Sequence, residues 1–321
     1  ARLRAIRLAA IGPAWEGGPA RLAGYAADNG ALPGNLAALL TQPDSQCADP
    51  ENVNPDLTRC FRLKTPVFDP TPDLATGLVS GTDGESLSGQ QLLKGWRGPY
   101  LELAPGSSTF RDGWGNRSAA AADDNSTFGW GFEPFTASTA GAATIITPLR
   151  VTSLGKDGLA GAAGGFDADT SLSIAATDWL VDIANWRVRL NGGQGAWYSV
   201  SLLVYQDAAD GGHWRRLSTA PVDGSAPASG PSVACGDISA SQGMVYLDSS
   251  CGAQELRFPP NVGYPSGSVS SLVPYGRHLL VVVRHTAGGS AQTALPNQAW
   301  ATTVDLVRGA LPPAATLEVR S

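Results

Sequence analysis

Histidine and methionine are nearly missing from this sequence: 321 residues hold three of the first, His213, His278 and His285, and one of the second. There is no His-Glu-x-x-His helix, Gly-x-Ser-x-Gly elbow, phosphate loop or dinucleotide fingerprint. Zinc hydrolysis, esterase chemistry and nucleotide binding therefore lack their usual sequence vehicles. His278 and His285 fall on one expected strand at an odd separation, which sends them to opposite faces. They are expected as isolated surface or edge histidines. Pairs such as Asp178 and Asp182 would need a cleft to do acid/base work. No catalytic constellation emerges, and the chain is expected not to be an enzyme; an extracellular hydrolase is the weakest reading.

Charge is also scarce, at 16% of residues, with a net charge of -6 and a pI near 5.1. A nucleic-acid partner needs a basic footprint, which is missing here. No apolar run is long enough to span a bilayer and no signal peptide opens the chain. What is plentiful is glycine, with 39, and proline, with 23. That composition favours β-structure with long connections, and the length favours two domains over one.

The four cysteines form two local pairs, Cys47 with Cys60 and Cys235 with Cys251. Neither pair has zinc-ligand spacing. Disulfides closing short loops are expected, each stabilising by about 3 kcal/mol in the loop-entropy model. They imply an oxidising compartment such as a periplasm or cell surface. Four reduced thiols are the alternative.

In chain order, residues 1–11 set Leu3, Ile6 and Leu8 among arginines and suit an amphipathic helix. Gly12-Pro13 and Gly17-Gly-Pro19 interrupt it. A second helical piece over about 19–28 ends at Asn29-Gly30, a left-handed cap, and a short helix follows over about 34–41. Residues 42–89 read as an irregular excursion holding the first cysteine pair, and 90–94 as a helical turn. Trp96, Tyr100 and Trp114 are expected as core aromatics. Alternating runs at 127–135 and 143–152, the latter broken by Pro148, predict a small antiparallel sheet, with Asp123 and Asp124 in a solvated loop. Beyond 172, strands are expected near 179–190, 197–206, 213–218, 244–247, 254–258, 277–285, 300–306 and 315–319. Short strands at this spacing suggest an immunoglobulin-like β-sandwich.

One stretch concentrates oxygen ligands. Ser153-Leu-Gly-Lys-Asp-Gly158 leads into a glycine-rich turn ending Asp167-Ala-Asp169, with no basic residue after Lys156. Hard cations take carboxylate and carbonyl oxygens, and glycines let carbonyls turn inward. The spacing excludes an EF-hand. The same composition also suits a solvated Asp/Gly turn.

Four ordered segments carry a resemblance. They are Tyr25-Ala-Ala-Asp-Asn-Gly30, Gly95-Trp-Arg-Gly-Pro-Tyr-Leu101, Asp112-Gly-Trp-Gly-Asn116, and Ser153-Leu-Gly-Lys-Asp-Gly158 with Asp167-Ala-Asp169. Together they resemble the major pseudopilin of the type II secretion system, a type IV pilin-like family, over about residues 20–170. Asp112-Gly113 stands where that family has Asp-Pro.

The resemblance implies an α+β fold: an N-terminal helix on a small antiparallel sheet over residues 1–171, with a calcium loop at 153–170. The expected β-sandwich domain follows over 172–321, where no family is recognised. The resemblance also implies Ca2+ held by the Leu154 carbonyl and the Asp157, Asp167 and Asp169 carboxylates. It further implies a membrane-embedded helix before Tyr25, absent from this chain, and periplasmic or cell-surface localisation with an inner-membrane anchor before assembly. The expected function is a structural subunit of a secretion pseudopilus or type IV pilus-like filament, of minor or tip type because the extra domain would crowd a shaft. Its partners would be other pilin or pseudopilin subunits, with a secreted substrate as a further partner. The alternative is a carbohydrate- or substrate-binding sandwich on a pilin-like stem, which exposed Trp179, Trp197 or Trp214 on one flat face would favour.

Overall fold

A computed structural model describes residues 1–13, 22–41, 62–64, 67–68, 85–86, 91–140, 143–161, 164–192, 195–208, 211–218, 220–221, 238–239, 244–247, 252–258, 272–285, 294–309 and 313–319. Both cysteine pairs, and most of the 42–89 excursion, lie outside these residues. The fold is α+β with strands dominant and several antiparallel sheets.

Helix α1 (Arg2–Ile11) buries Ile6, Ala9, Ala10 and Ile11 and turns its arginines away from that face. Helix α2 (Tyr25–Asn29) is shorter than the sequence suggests, and closes as expected on Gly30 in the left-handed conformation. The expected helix over 34–41 is a single 3-10 turn at Ala37–Leu39. Residues 90–94 do not add a helical turn. Strand β1 (Leu92–Lys94) pairs with Arg62–Lys64 instead, and its burial alternates along the three residues.

Helix α3 (Ala121–Thr127) takes the place of the expected solvated loop, and Asp124 within it grips Arg111 through both carboxylate oxygens at 2.8 and 2.6 Å. Strands β2 (Gly131–Glu133), β3 (Leu149–Ser153) and β4 (Thr170–Ile174) form an antiparallel sheet with β3 central. Pro148 separates β3 from the hairpin of Thr136–Ala140 and Ala143–Thr147, so the chain leaves one ladder and enters another at the residue that cannot donate.

Helix α1 lies on this sheet. Ile6, Ala10 and Ile11 share one buried cluster with Leu149 and Val151 of β3 and Ile174 of β4. Arg7 reaches the Ser173 carbonyl at 3.4 Å and Asp178 at 2.8 Å. β4 runs across the 171/172 position at which the sequence suggests a division, and the buried cluster continues into the second half.

That half holds β5 (Arg187–Asn191), β6 (Ala196–Ala208), β7 (Gly211–Ser218), β8 (Met244–Leu247), β9 (Gln254–Arg257), β10 (Gly276–His285), β11 (Ala294–Leu306) and β12 (Ala315–Glu318). One sheet runs Ile238–Ser239, β8, β6, β10, β11, with β7 on the far end of β6. A second runs Ala220–Pro221, β9, β5, β12, its last pair parallel. The period-two pattern of β6 explains its position. Tyr198, Val200, Leu202 and Val204 enter the main cluster with Val188, Leu190, Leu256 and Phe258 of the second sheet and its edge. Leu203 and Tyr205 point the other way, to a second cluster with Leu92, Trp214, Leu279 and Val281. Each such aliphatic side chain contributes about 2 kcal/mol by burial. The central sheet is thus covered on both faces, one of them by β1.

Candidate calcium loop and motif junctions

The four motif segments meet in pairs. Tyr25–Asn29 packs against Trp96–Tyr100. The Tyr100 hydroxyl donates to Asp28 Oδ2 at 3.0 Å and accepts the Arg97 N–H at 3.0 Å, and Arg97 Nε lies 3.1 Å from the same carboxylate oxygen. Trp96 Nε1 donates to the Ala38 carbonyl at 2.8 Å, and Tyr100 meets the rings of Tyr25 and Trp96 edge-on at 5.5 and 5.9 Å. Trp96 and Tyr100 are therefore the inward aromatics expected. Burial raises the Asp28 carboxyl above its ordinary range despite Arg97, and burial raises the Tyr100 hydroxyl further.

The second junction forms around Asp112, which is buried. Its Oδ1 accepts the N–H groups of Trp114, Gly115 and Asn116 at 3.1, 2.9 and 3.2 Å. Its Oδ2 accepts from Asn116 Nδ2 and from Ser153 Oγ, both at 2.9 Å. Asn116 Nδ2 also donates to the Gly155 carbonyl at 2.8 Å. One carboxylate therefore closes the turn at 112–116 and ties it to the first residues of the acidic loop. Arg2 of α1 donates to the Asp112 carbonyl at 2.8 Å and to that of Arg111, so the helix start is held at the same point. A carboxylate accepting several N–H bonds is the strong form of such a turn.

The acidic loop folds back on itself. Lys156 N–H donates to the Phe166 carbonyl at 2.8 Å. Gly155 has φ +66°, and a Cβ there would come within 2.3 Å of the Asp167 carbonyl oxygen, so the two arms of the loop approach as closely as only glycine permits. Asp157 Oδ1 accepts the Leu159 N–H at 3.1 Å, and Asp169 Oδ2 accepts the Gly161 N–H at 2.8 Å. Asp169 Oδ1 is buried and, among the described residues, without a hydrogen-bond partner. Leu154 is half-buried, while Asp157 and Asp167 are exposed.

Among the described residues, no three Asp, Glu, His or Cys side chains stand together at metal-binding range, so the three aspartates are not gathered into one cluster. The donor chemistry is oxygen throughout, and the orphaned Asp169 oxygen is the atom a hard cation would satisfy.

Trp114 is not a core aromatic. It is 48% exposed and meets Phe166, 74% exposed, edge-on at 5.8 Å across the two loops. Of the tryptophans that would mark a flat ligand-binding face, Trp179 and Trp214 are buried and Trp197 is half-buried against Tyr246 at 5.7 Å.

His278 is a second departure from the sequence reading. It is fully buried, with Nε2 2.8 Å from the Pro274 carbonyl and Nδ1 unpartnered among the described residues. Burial, with Lys94 nearby, lowers its pKa to about 3, so the ring is neutral at physiological pH and Nε2 carries the donated proton. Strand parity says nothing of which face is covered. No helix among the described residues is long and apolar enough to cross a membrane. Comparison of the chain with family models, with curated proteins and with solved structures returns no match.

Proposed function

We propose that this chain is a structural subunit, minor or tip-located, of a type II secretion pseudopilus or type IV pilus-like filament, stabilised by calcium in the 153–170 loop. The observation that carries the proposal is the junction at Asp112. Segments that resemble the pseudopilin family only as separate strings, 112–116 and 153–158, are tied together by Ser153 Oγ and Asn116 Nδ2. The helix α1 on a small antiparallel sheet supports the same reading, as does the contact of Asp28 with Tyr100.

In this reading the Leu154 carbonyl and the Asp157, Asp167 and Asp169 carboxylates hold the ion. Calcium supplies the positive charge that draws together acidic groups which otherwise repel. The Asp112 network fixes the loop's first arm, so binding orders only the second arm. The fold we propose is a pilin-like unit followed by an immunoglobulin-like sandwich, with the two large sheets around one core. The parallel pairing of β5 and β12 is a departure from a purely antiparallel sandwich. Burial of Trp179 and Trp214 favours a protein-contact or spacer role for the second half over a flat sugar-stacking face.

The direct test is recovery of the protein from sheared surface filaments or cross-linked pseudopili of cells that produce it. Co-fractionation with pilin-like subunits supports the proposal. Recovery only as a free protein, in cells whose filaments are intact, contradicts it.

A further inference from the structure

A cleft of about 540 Å³ opens between β1, the α2 end and the β10–β11 edge of the central sheet. Its walls divide by chemistry. Leu22, Leu92 and Leu93 are apolar, whereas Lys94, Arg97, Arg277, Asp28 and Asp305 are charged, with Thr303 beside them. The arginines are committed. Arg97 lies 3.1 Å from Asp28, and Arg277 holds Asp305 through two bonds at 2.7 and 3.0 Å.

Lys94 is different. It is 1% exposed, and its Nζ has one hydrogen bond, to the Ala27 carbonyl at 2.7 Å. Among the described residues no carboxylate pairs with it. An ammonium group has three donors, and the attraction of Asp28 and Asp305, from beyond ion-pair distance, offsets the cost of its burial only in part. Close packing holds the side chain in place. Gly276 has φ +140°, and a Cβ there would lie 3.2 Å from Nζ and 3.0 Å from the Ala27 oxygen.

We infer that this cleft binds a carboxylate carrying a short aliphatic body, with Lys94 Nζ taking the carboxylate and Leu22 and Leu93 the aliphatic part. The acidic neighbours do not oppose this, because each already has its arginine. The carboxylate could arrive as a free fatty or amino acid or as the C-terminus of a peptide, and both present the same group. The inference is independent of the filament proposal and of calcium. Burial lowers the Lys94 pKa to about 8, against the attraction of Asp28 and Asp305 and with the repulsion of Arg277, so an arriving anion should recharge the amine and draw in a proton.

The test is calorimetric titration of the whole chain at pH 8 with sodium hexanoate, with hexanamide as its neutral counterpart, and with N-acetyl-Leu-Leu as free acid and as amide. Hexanoate is expected to bind with Kd of about 1 mM, at least tenfold tighter than hexanamide, with proton uptake seen as a buffer-dependent heat. Lys94→Met should reduce that affinity by tenfold or more. Should this variant fail to fold, the Lys94 side-chain NMR resonances of the wild type should shift with hexanoate and not with hexanamide. A peptide acid binding more tightly than hexanoate assigns a chain terminus, and the reverse order a free acid. Equal binding of acid and amide, no binding, binding without proton uptake, or full affinity in a folded Lys94→Met would each overturn the inference.

Discussion

Ser153 Oγ donates to Asp112 Oδ2 at 2.9 Å, joining two turns 41 positions apart. The same carboxylate takes three backbone N–H bonds and one from Asn116. Asp112→Ala leaves those part-buried donors without their acceptor and should cost about 2 kcal/mol. Asp112→Asn keeps the shape but turns an amide NH2 toward a donor on at least one side, so it should not restore the loss. Denaturant unfolding measures both variants, and limited proteolysis should show earlier cleavage within 155–170. A neutral Asp112→Ala would show that the junction carries no stability.

His278 predicts a limb of acid unfolding. Its pKa is about 3 in the fold against 6.5 as the ordinary value. Between those values the unfolded chain binds the extra proton, so stability falls as pH drops from about 6.5 toward 3. His278→Gln, which can keep a donor to the Pro274 carbonyl, should flatten this limb in urea unfolding at stepped pH. An unchanged acid profile would remove His278 as its source.

Lys94 predicts the opposite margin. Its pKa of about 8 lies below the ordinary 10.5, under burial set against Asp28, Asp305 and Arg277, with neutral His278 also close. The burial penalty is fully present below about pH 8 and is relieved as pH climbs from about 8 to 10.5, so this group makes the protein more stable with rising pH in that window. A shift of this size corresponds to roughly 3 kcal/mol. Lys94→Met should remove the rise. A wild-type profile that declines across the window by the same amount as Lys94→Met would contradict the assignment.

The strand pattern of the second half is readable because β6 sets Tyr198, Val200, Leu202 and Val204 at every second position, on one buried face. The expected strand at 244–247 coincides with β8, and those at 197–206, 254–258 and 277–285 end within two residues of β6, β9 and β10. Which strands pair in parallel is not readable, since β5 and β12 meet across the length of the second half and no local signal records it. The helix α3 was missed because Asp123, Asp124 and Asn125 have poor interior propensity. Tertiary contact overrides this, as Arg111 grips Asp124 and holds its carboxyl down to about 2. The burial of Lys94 and Asp28 was invisible for a similar reason: nothing in Leu92-Leu-Lys94 shows that Gly276 and Ala27 will close over the amine. At the acidic loop the sequence supplied the residues, but only the fold reveals that Asp112 and Asn116 anchor its first arm.

Calcium in the loop at 153–170 is the claim on which the functional reading most depends. Calorimetric titration of the chelator-stripped protein with calcium, in wild type and in Asp157→Ala and Asp169→Asn, tests it directly. One ion per chain in the wild type, with affinity reduced about tenfold or more in each variant, is the result predicted. Equal calcium heats in all three proteins, or none in the wild type, would contradict it.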